Sequence, residues 1–236
     1  AAGDEEEGSN IGYIKLLANV KEGIYVEGGN FTLDLNGHTI SSEGHTLVIR
    51  NQSNVTIVDG SETKSGKVIS SGEGSFAVGI TNSASVTING GTYESTHLYA
   101  LNLEGNSSAT INGGSYVNSY LPVEIGAGCS ATITGGTFEY ADNGAIKNFG
   151  NLVVKGGTFT YDGEYESYST INYFNGSIDL SDYPVNDISD IHVANQSEIK
   201  LDAETILLPE DCCFLDSDGT PVTILENSSS YCIGEE

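Results

Sequence analysis

The sequence has few positively charged residues, and it contains no methionine and no tryptophan. Eight Lys and Arg stand against 33 Asp and Glu, which gives a formal net charge of −25. A surface of that sign repels the phosphates of nucleic acids and the headgroups of anionic lipids. We therefore exclude nucleic-acid binding. No apolar run approaches the roughly 18 residues of a membrane-spanning helix, so we expect no membrane insertion.

Proline and cysteine are also scarce. Four Pro beside 30 Gly in 236 residues indicate a chain rich in turns, not a disordered linker. The four cysteines form no CxxC pair and have no histidine at ligand spacing, which argues against a zinc site. We expect no cofactor. Residues 216–219, Asp-Ser-Asp-Gly, resemble half of a calcium loop, but their place between two apolar runs favours a hairpin turn.

The chain contains an internal repeat of about 22 residues. The segments TINGGTY, TINGGSY, TITGGTF and VVKGGTF begin at residues 87, 110, 132 and 153, and a second strand-like motif begins at residues 77, 100, 122 and 145. Apolar and polar residues alternate in each segment, as in half-buried strands. The length and the short strands predict an all-β fold, a right-handed parallel β-helix of about seven turns in which equal positions stack.

The repeat also predicts the domain organisation and the interior. Residues 1–10 are small and acidic and are expected to be a disordered tail, residues 11–180 to form the coil, and residues 181–236 to form a C-terminal cap. Each Gly-Gly pair supplies a corner. The alternation places the repeated aromatic residues inside the coil as a stack, and it assigns Cys129 to a column of small residues. The aromatic residues are Tyr93, Tyr116, Phe138 and Phe159. The aliphatic residues predicted to line the interior are Val78, Ile80, Ile88, Leu101, Leu103, Ile111, Val123, Ile125, Ile133, Ile146 and Val154.

These residues carry a resemblance to a known group of proteins. The segments LDLNGHTI at 33–40 and NVTIVDG at 54–60, with the repeated TI-x-GGT units, resemble the parallel β-helix proteins of the pectate-lyase-like superfamily that gut Firmicutes and Bacteroides secrete or display. The ending LPEDCCFLDSDGTPVTI at 208–224 is similar as well. The resemblance implies an extracellular, secreted or surface-attached protein of adhesin-like type. It does not carry an activity, because this architecture serves both enzymes and binding modules.

One segment departs from the repeat and is our candidate ligand site. The longer turn at 161–168 mixes tyrosines with acids, and such insertions map to loops on the binding face. Tyrosine rings and carboxylates together suit a glycan. The candidate residues are Tyr161, Asp162, Glu164, Tyr165, Glu166 and Tyr168, with Tyr120 and Tyr140 from earlier turns.

Two further hypotheses concern catalysis and a disulfide. Glu94 and Glu139 are expected two turns apart on one face, ~9.6 Å, which is barely compatible with an inverting glycosidase pair. We assign no catalytic residue. In an oxidising compartment Cys232 is expected to pair with Cys213, with Cys212 as the alternative, depending on which strand face meets the tail.

The sequence therefore favours a non-enzymatic surface module, a spacer or a binding face for a glycan or a host protein. We expect a monomer or a part of a larger surface protein. The alternative is a carbohydrate-active enzyme, either a polysaccharide lyase or a glycoside hydrolase.

Overall fold

The structure, a computed structural model, describes residues 12–118, 120–141, 143–163 and 169–235. In this part of the chain, three long sheets run along a parallel β-solenoid of about eight turns. The fold is all-β, as predicted, and each regular turn contributes one strand to each sheet. Strands are numbered in chain order.

Sheet A carries the first strand of each repeat and is parallel throughout. Its order is β1 (Gly12–Lys15), β3 (Asn30–Asp34), β6 (Asn54–Val58), β9 (Ser85–Ile88), β12 (Ser108–Ile111), β15 (Ser130–Ile133), β18 (Asn151–Val154), β21 (Ser177–Asp179) and β24 (Ile206–Leu207).

Sheet B follows the Gly-Gly corner and carries the aromatic stack. Its order is β19 (Thr158–Tyr161), β16 (Thr137–Tyr140), β13 (Ser115–Asn118), β10 (Thr92–Ser95), β7 (Lys67–Ser70) and β4 (Thr39–Ser42).

Sheet C carries the second strand-like motif and ends in antiparallel strands. Its parallel part is β2 (Ile24–Glu27), β5 (Leu47–Arg50), β8 (Val78–Ile80), β11 (Tyr99–Leu103), β14 (Leu121–Ile125), β17 (Ile146–Asn148), β20 (Ile171–Tyr173) and β22 (His192–Asn195). The antiparallel part is β28 (Ser229–Glu235), β25 (Cys212–Leu215) and β26 (Pro221–Val222).

The remaining elements lie in the C-terminal segment. They are the 3-10 helices Val185–Asp190 and Ala203–Thr205 and the antiparallel pair β23 (Leu201–Asp202) and β27 (Ile224–Leu225). No helix in the described residues is long and apolar enough to span a bilayer.

The coil extends further than the repeat suggested. β22 pairs in parallel with β20, and β24 pairs in parallel with β21, so a turn of the solenoid lies within residues 181–207. The sequence assigned this stretch to the cap, because its spacing and composition no longer match the repeat. In sheet C, the strands that pair only in antiparallel fashion begin at Cys212.

The interior columns are those that the repeat predicted. All eleven aliphatic positions predicted to line the coil are at most 1% exposed. The rings of Tyr93, Tyr116, Phe138 and Phe159 stack turn on turn, with centroids 5.2, 4.8 and 4.9 Å apart. Cys129 is fully buried beside Ser107. The stack is therefore part of the core and not a platform for a ligand.

The second glycine of each Gly-Gly pair is required by the corner. Gly91, Gly114, Gly136 and Gly157 have φ values of 96°, 101°, 107° and 114°. This region of backbone space is open to glycine and strained for other residues. The corner thus leads the chain from sheet A to sheet B at the same place in four successive turns.

Candidate functional site

The outer face of sheet C carries a shallow cleft of about 210 Å³. Its lining residues lie in strands β14, β17 and β20 and in the segments directly before or after strands β14, β17, β20 and β22. They are Tyr120, Leu121, Asn143, Lys147, Asn172, Phe174 and Gln196. We call this surface the sheet C cleft.

The register of the parallel strands determines which side chains form the floor of the cleft. Val123 and Ile125 point into the core, so Glu124 between them points outward. The parallel pairing then aligns Glu124 with Lys147, and Lys147 with Asn172, on neighbouring strands. Three polar side chains therefore follow one another along the coil axis on the outer face of the sheet.

Aromatic rings form one side of the cleft. Phe149 and Phe174 directly follow β17 and β20, and their rings stack with centroids 4.6 Å apart. The Lys147 ammonium lies 5.0 Å from the centroid of Phe149 and 5.5 Å from that of Phe174. Both contacts are within the range of cation–π attraction, which holds the lysine against the rings.

Tyr120 also lines the cleft and packs beside a second tyrosine. Tyr120 is 43% exposed, and its ring lies 6.3 Å from that of Tyr99 at a tilt of 57°. Tyr99 is almost buried, and burial together with the neighbouring Glu124 carboxylate raises the pKa of its hydroxyl well above the usual range. Tyr99 therefore stays protonated.

Amides hold the far end of the cleft. Asn172 donates from Nδ2 to the carbonyl oxygen of Asn143 at 2.8 Å, and its Oδ1 accepts from the Ser169 hydroxyl at 2.8 Å. Gln196 donates from Nε2 to the same Oδ1 at 3.5 Å. These bonds fix Asn172, and the cleft combines fixed polar groups with apolar ring faces, the usual composition of a small-ligand site.

The structure separates the residues that the sequence grouped as a candidate ligand site. Tyr120 lines the sheet C cleft, but Tyr140 is only 2% exposed, and its hydroxyl lies 3.1 Å from that of Thr170. Tyr161 is half-buried, stands in the same column of sheet B as Tyr140, and packs against the core. Alternation along β16 turns the Tyr140 ring inward, and a ligand contact of Tyr140 stays a prediction.

The rest of that candidate group is only partly described. Asp162 is exposed just after β19, and its amide donates to the carbonyl oxygen of Tyr140 at 2.8 Å. The remaining four lie outside the described residues and stay predictions; they are Glu164, Tyr165, Glu166 and Tyr168.

The two carboxylates considered for hydrolysis lie on another sheet. The pairing of β10, β13 and β16 places Glu94 and Glu139 in one outward column with Val117 between them. Their expected separation, ~9.6 Å, follows from that spacing. Neither residue lines the sheet C cleft.

Residues 216–219 form a hairpin turn between β25 and β26. The Asp216 carboxylate accepts from the amides of Asp218 and Thr220, both at 2.9 Å, so its oxygen caps the turn. Within the described residues, no cluster of three or more His, Cys, Asp or Glu side chains is arranged to hold a metal ion.

The cysteines of the C-terminal segment are reduced thiols in the structure. Across the described residues, which include all four cysteines, no disulfide is formed. The register of β25 and β28 puts Cys213 opposite Gly234 and Leu215 opposite Cys232. Cys213 and Cys232 thus share a face as diagonal neighbours, whereas Cys212 points to the other face. The register therefore favours Cys213 over Cys212, and the disulfide itself stays a prediction for oxidising conditions.

The sequence did not identify Glu124, Lys147, Phe149 or Phe174 as site residues. The signal that could have found them is the second strand-like motif. Aligning its inward positions would place Glu124 and Lys147 in one outward column. The two phenylalanines would follow as the first residues after adjacent strands.

No match to the chain was found among protein-family models, curated proteins or solved structures. The geometry therefore defines the class: the chain is a parallel β-solenoid, with a cleft on one outer face.

Proposed function

We propose that the chain is a non-enzymatic module of an extracellular surface protein that binds a glycan in the sheet C cleft. The resemblance of the repeat to secreted and displayed adhesin-like β-helix proteins supports this proposal. The observation that carries it is the pairing of exposed ring surface at Tyr120 and Phe174 with fixed polar groups on the strands between them.

Sugar rings have apolar faces and hydroxyl edges. The aromatic rings offer surfaces for stacking, and Lys147 and the amides offer hydrogen-bond donors and acceptors. The walls are columns that run along the coil axis, so an extended chain fits them better than a compact ligand.

The composition of the cleft supports binding rather than hydrolysis. Among the described residues, those lining the cleft include no aspartate or glutamate. The neighbouring carboxylate, Glu124, is paired with Lys147. Glycoside hydrolysis generally requires two carboxyl groups that face the scissile bond.

The test is a glycan array run beside a reducing-sugar assay on plant and mucin polysaccharides. We expect binding without release of product. Phe174→Ala should weaken binding roughly tenfold, because stacked aromatic contacts contribute energies of that order. Tyr25→Ala is the matched control, an exposed aromatic residue on the outer face of the same sheet but at its first strand.

Three results would reject the proposal. Release of product would favour the enzyme, and the absence of any bound glycan would leave a spacer or a module that binds a host protein. Equal losses of glycan affinity in Phe174→Ala and Tyr25→Ala would show that the glycan does not bind in the sheet C cleft.

A further inference from the structure

The positive charge of Lys147 is neutralised by a carboxylate on the neighbouring strand of the same sheet face. Lys147 alone is basic among the described residues that line the cleft. Its Nζ lies 3.5 Å from Oε2 of Glu124, and the two side chains are 26% and 18% exposed. Because both are largely sheltered from water, salt screens their attraction less than that of an open surface pair. The ammonium thus offers donors to a ligand without adding net positive charge to the cleft.

Glu124 lies among other polar groups on the outer face of sheet C. Burial and the neighbouring Glu124 carboxylate raise the pKa of the Tyr99 hydroxyl. Asn102 aligns with Glu124 on the neighbouring strand and donates from Nδ2 to Oε1 of Glu104 at 3.1 Å. Glu124 is the carboxylate that pairs with Lys147, so the ion pair carries no net charge.

We infer that Glu124 sets the ligand class of the cleft, so that the cleft selects a neutral glycan over one that carries carboxylates. This inference rests on the proposed glycan-binding function. A sugar carboxylate would have to compete with the Glu124 carboxylate for Lys147. A neutral sugar hydroxyl accepts a hydrogen bond from Lys147 while the ion pair stays intact.

The closing experiment uses oligosaccharide pairs that differ only by a hydroxymethyl group in one member and a carboxylate in the other. The probes are β-linked mannotetraose with tetramannuronate, and cellotetraose with its carboxylate counterpart. Affinities are measured by calorimetry on the full chain. We expect the wild type to bind the neutral member of a pair roughly tenfold more tightly, as like charges facing each other reduce binding.

Glu124→Gln is the decisive variant. Glutamine keeps the shape of the side chain, but it leaves the charge of Lys147 uncompensated. We expect the preference for the neutral member to shrink by roughly tenfold or to reverse. Glu94→Gln is the matched control, because it removes a carboxylate from the outer face of sheet B and should leave the preference unchanged.

A neutral-to-acidic ratio that stays within about twofold in a folded Glu124→Gln variant overturns the inference. Should that variant fail to fold, the wild type decides alone, and equal or tighter binding of the acidic members overturns it. The absence of binding to all four probes also overturns it, whereas the wider glycan array decides the proposed function separately.

Discussion

The two ends of the solenoid bury their strands to different extents. At the N-terminal end, all four residues of β1 are exposed, and Ile14 is 48% exposed. At the C-terminal end, β28 and β25 continue sheet C as antiparallel strands, and Phe214 and Ile233 are each 1% exposed. A residue of this coil is therefore buried by neighbours on both sides of its strand, and not by its place in the repeat alone.

The ends also differ in charge. Residues 12–67 contain five Lys or Arg and six Asp or Glu, whereas residues 181–235 contain one and twelve. Electrostatic repulsion among carboxylates is therefore strongest in the segment whose antiparallel strands cover the coil. The apolar contacts of that cover stabilise it against this repulsion.

The largest effect is expected in the C-terminal strands. Phe214→Ala should lower the free energy of unfolding by about 3–5 kcal/mol, because a fully buried ring leaves a cavity. Tyr25→Ala, at the N-terminal end and 55% exposed, should cost less than about 1 kcal/mol. Urea unfolding measures both, and similar losses would show that the two ends do not differ.

One column tests the comparison directly. Ile14, Leu33, Ile57, Ile88 and Ile111 stand at the same position of successive turns. Ile111→Ala should cost about 2–5 kcal/mol, as is usual for fully buried isoleucine. Ile14→Ala should cost about 1 kcal/mol, since half of that side chain is already in water. Equal costs would mean that β1 is covered in solution.

Oxidation should affect only the C-terminal end. A Cys213–Cys232 disulfide would close a loop of about 20 residues and stabilise the cap by roughly 3 kcal/mol. Because the two residues are diagonal neighbours, forming it requires a local shift of β25 against β28. Mass spectrometry of a non-reduced digest should find the linked peptide and an unlinked Cys129. Three alkylatable thiols in the cap of protein purified without reductant would defeat the prediction.

Acid should weaken the first turns through two buried carboxylates. Asp59 accepts from the amides of Gly37 and Gly66 at 2.8 and 2.6 Å, and Asp34 accepts from the Tyr13 hydroxyl at 2.6 Å. Burial alone would raise each pKa, but these and other hydrogen bonds outweigh it, so the pKa of both groups is lowered.

The contribution of the two carboxylates is full above the unfolded-state pKa, roughly 4, and is lost as the pH falls through the lower folded-state pKa. Asp59→Asn should cost about 1–3 kcal/mol near neutral pH, because an amide cannot accept at both of its ends. The substitution should also make the free energy of unfolding depend less on pH in the acid range. An unchanged acid profile in Asp59→Asn would show that Asp59 is not responsible.

The columns could be predicted from the sequence, and the cleft could not. A fixed period places Ile88, Ile111 and Ile133 in one row whatever the loops do, because each strand repeats the same alternation. The cleft depends instead on residues at the edges of strands: Tyr120 directly precedes β14 and Phe174 directly follows β20, and neither belongs to a column of the repeated TI-x-GG segments. The composition of residues 161–168 suggested a ligand site of tyrosines and acids that includes Tyr140, but alternation along β16 turns the Tyr140 ring inward.

The repeated corner makes the solenoid a molecular ruler. Each turn adds about 4.8 Å along the axis and contacts only the turns before and after it. The sheet C cleft begins at Tyr120, several turns from β1. Duplicating one repeat with its TI-x-GG segment before that point would move the cleft by one turn along the coil axis and leave its geometry intact. The distance between the cleft and β1 can therefore be adjusted in whole turns.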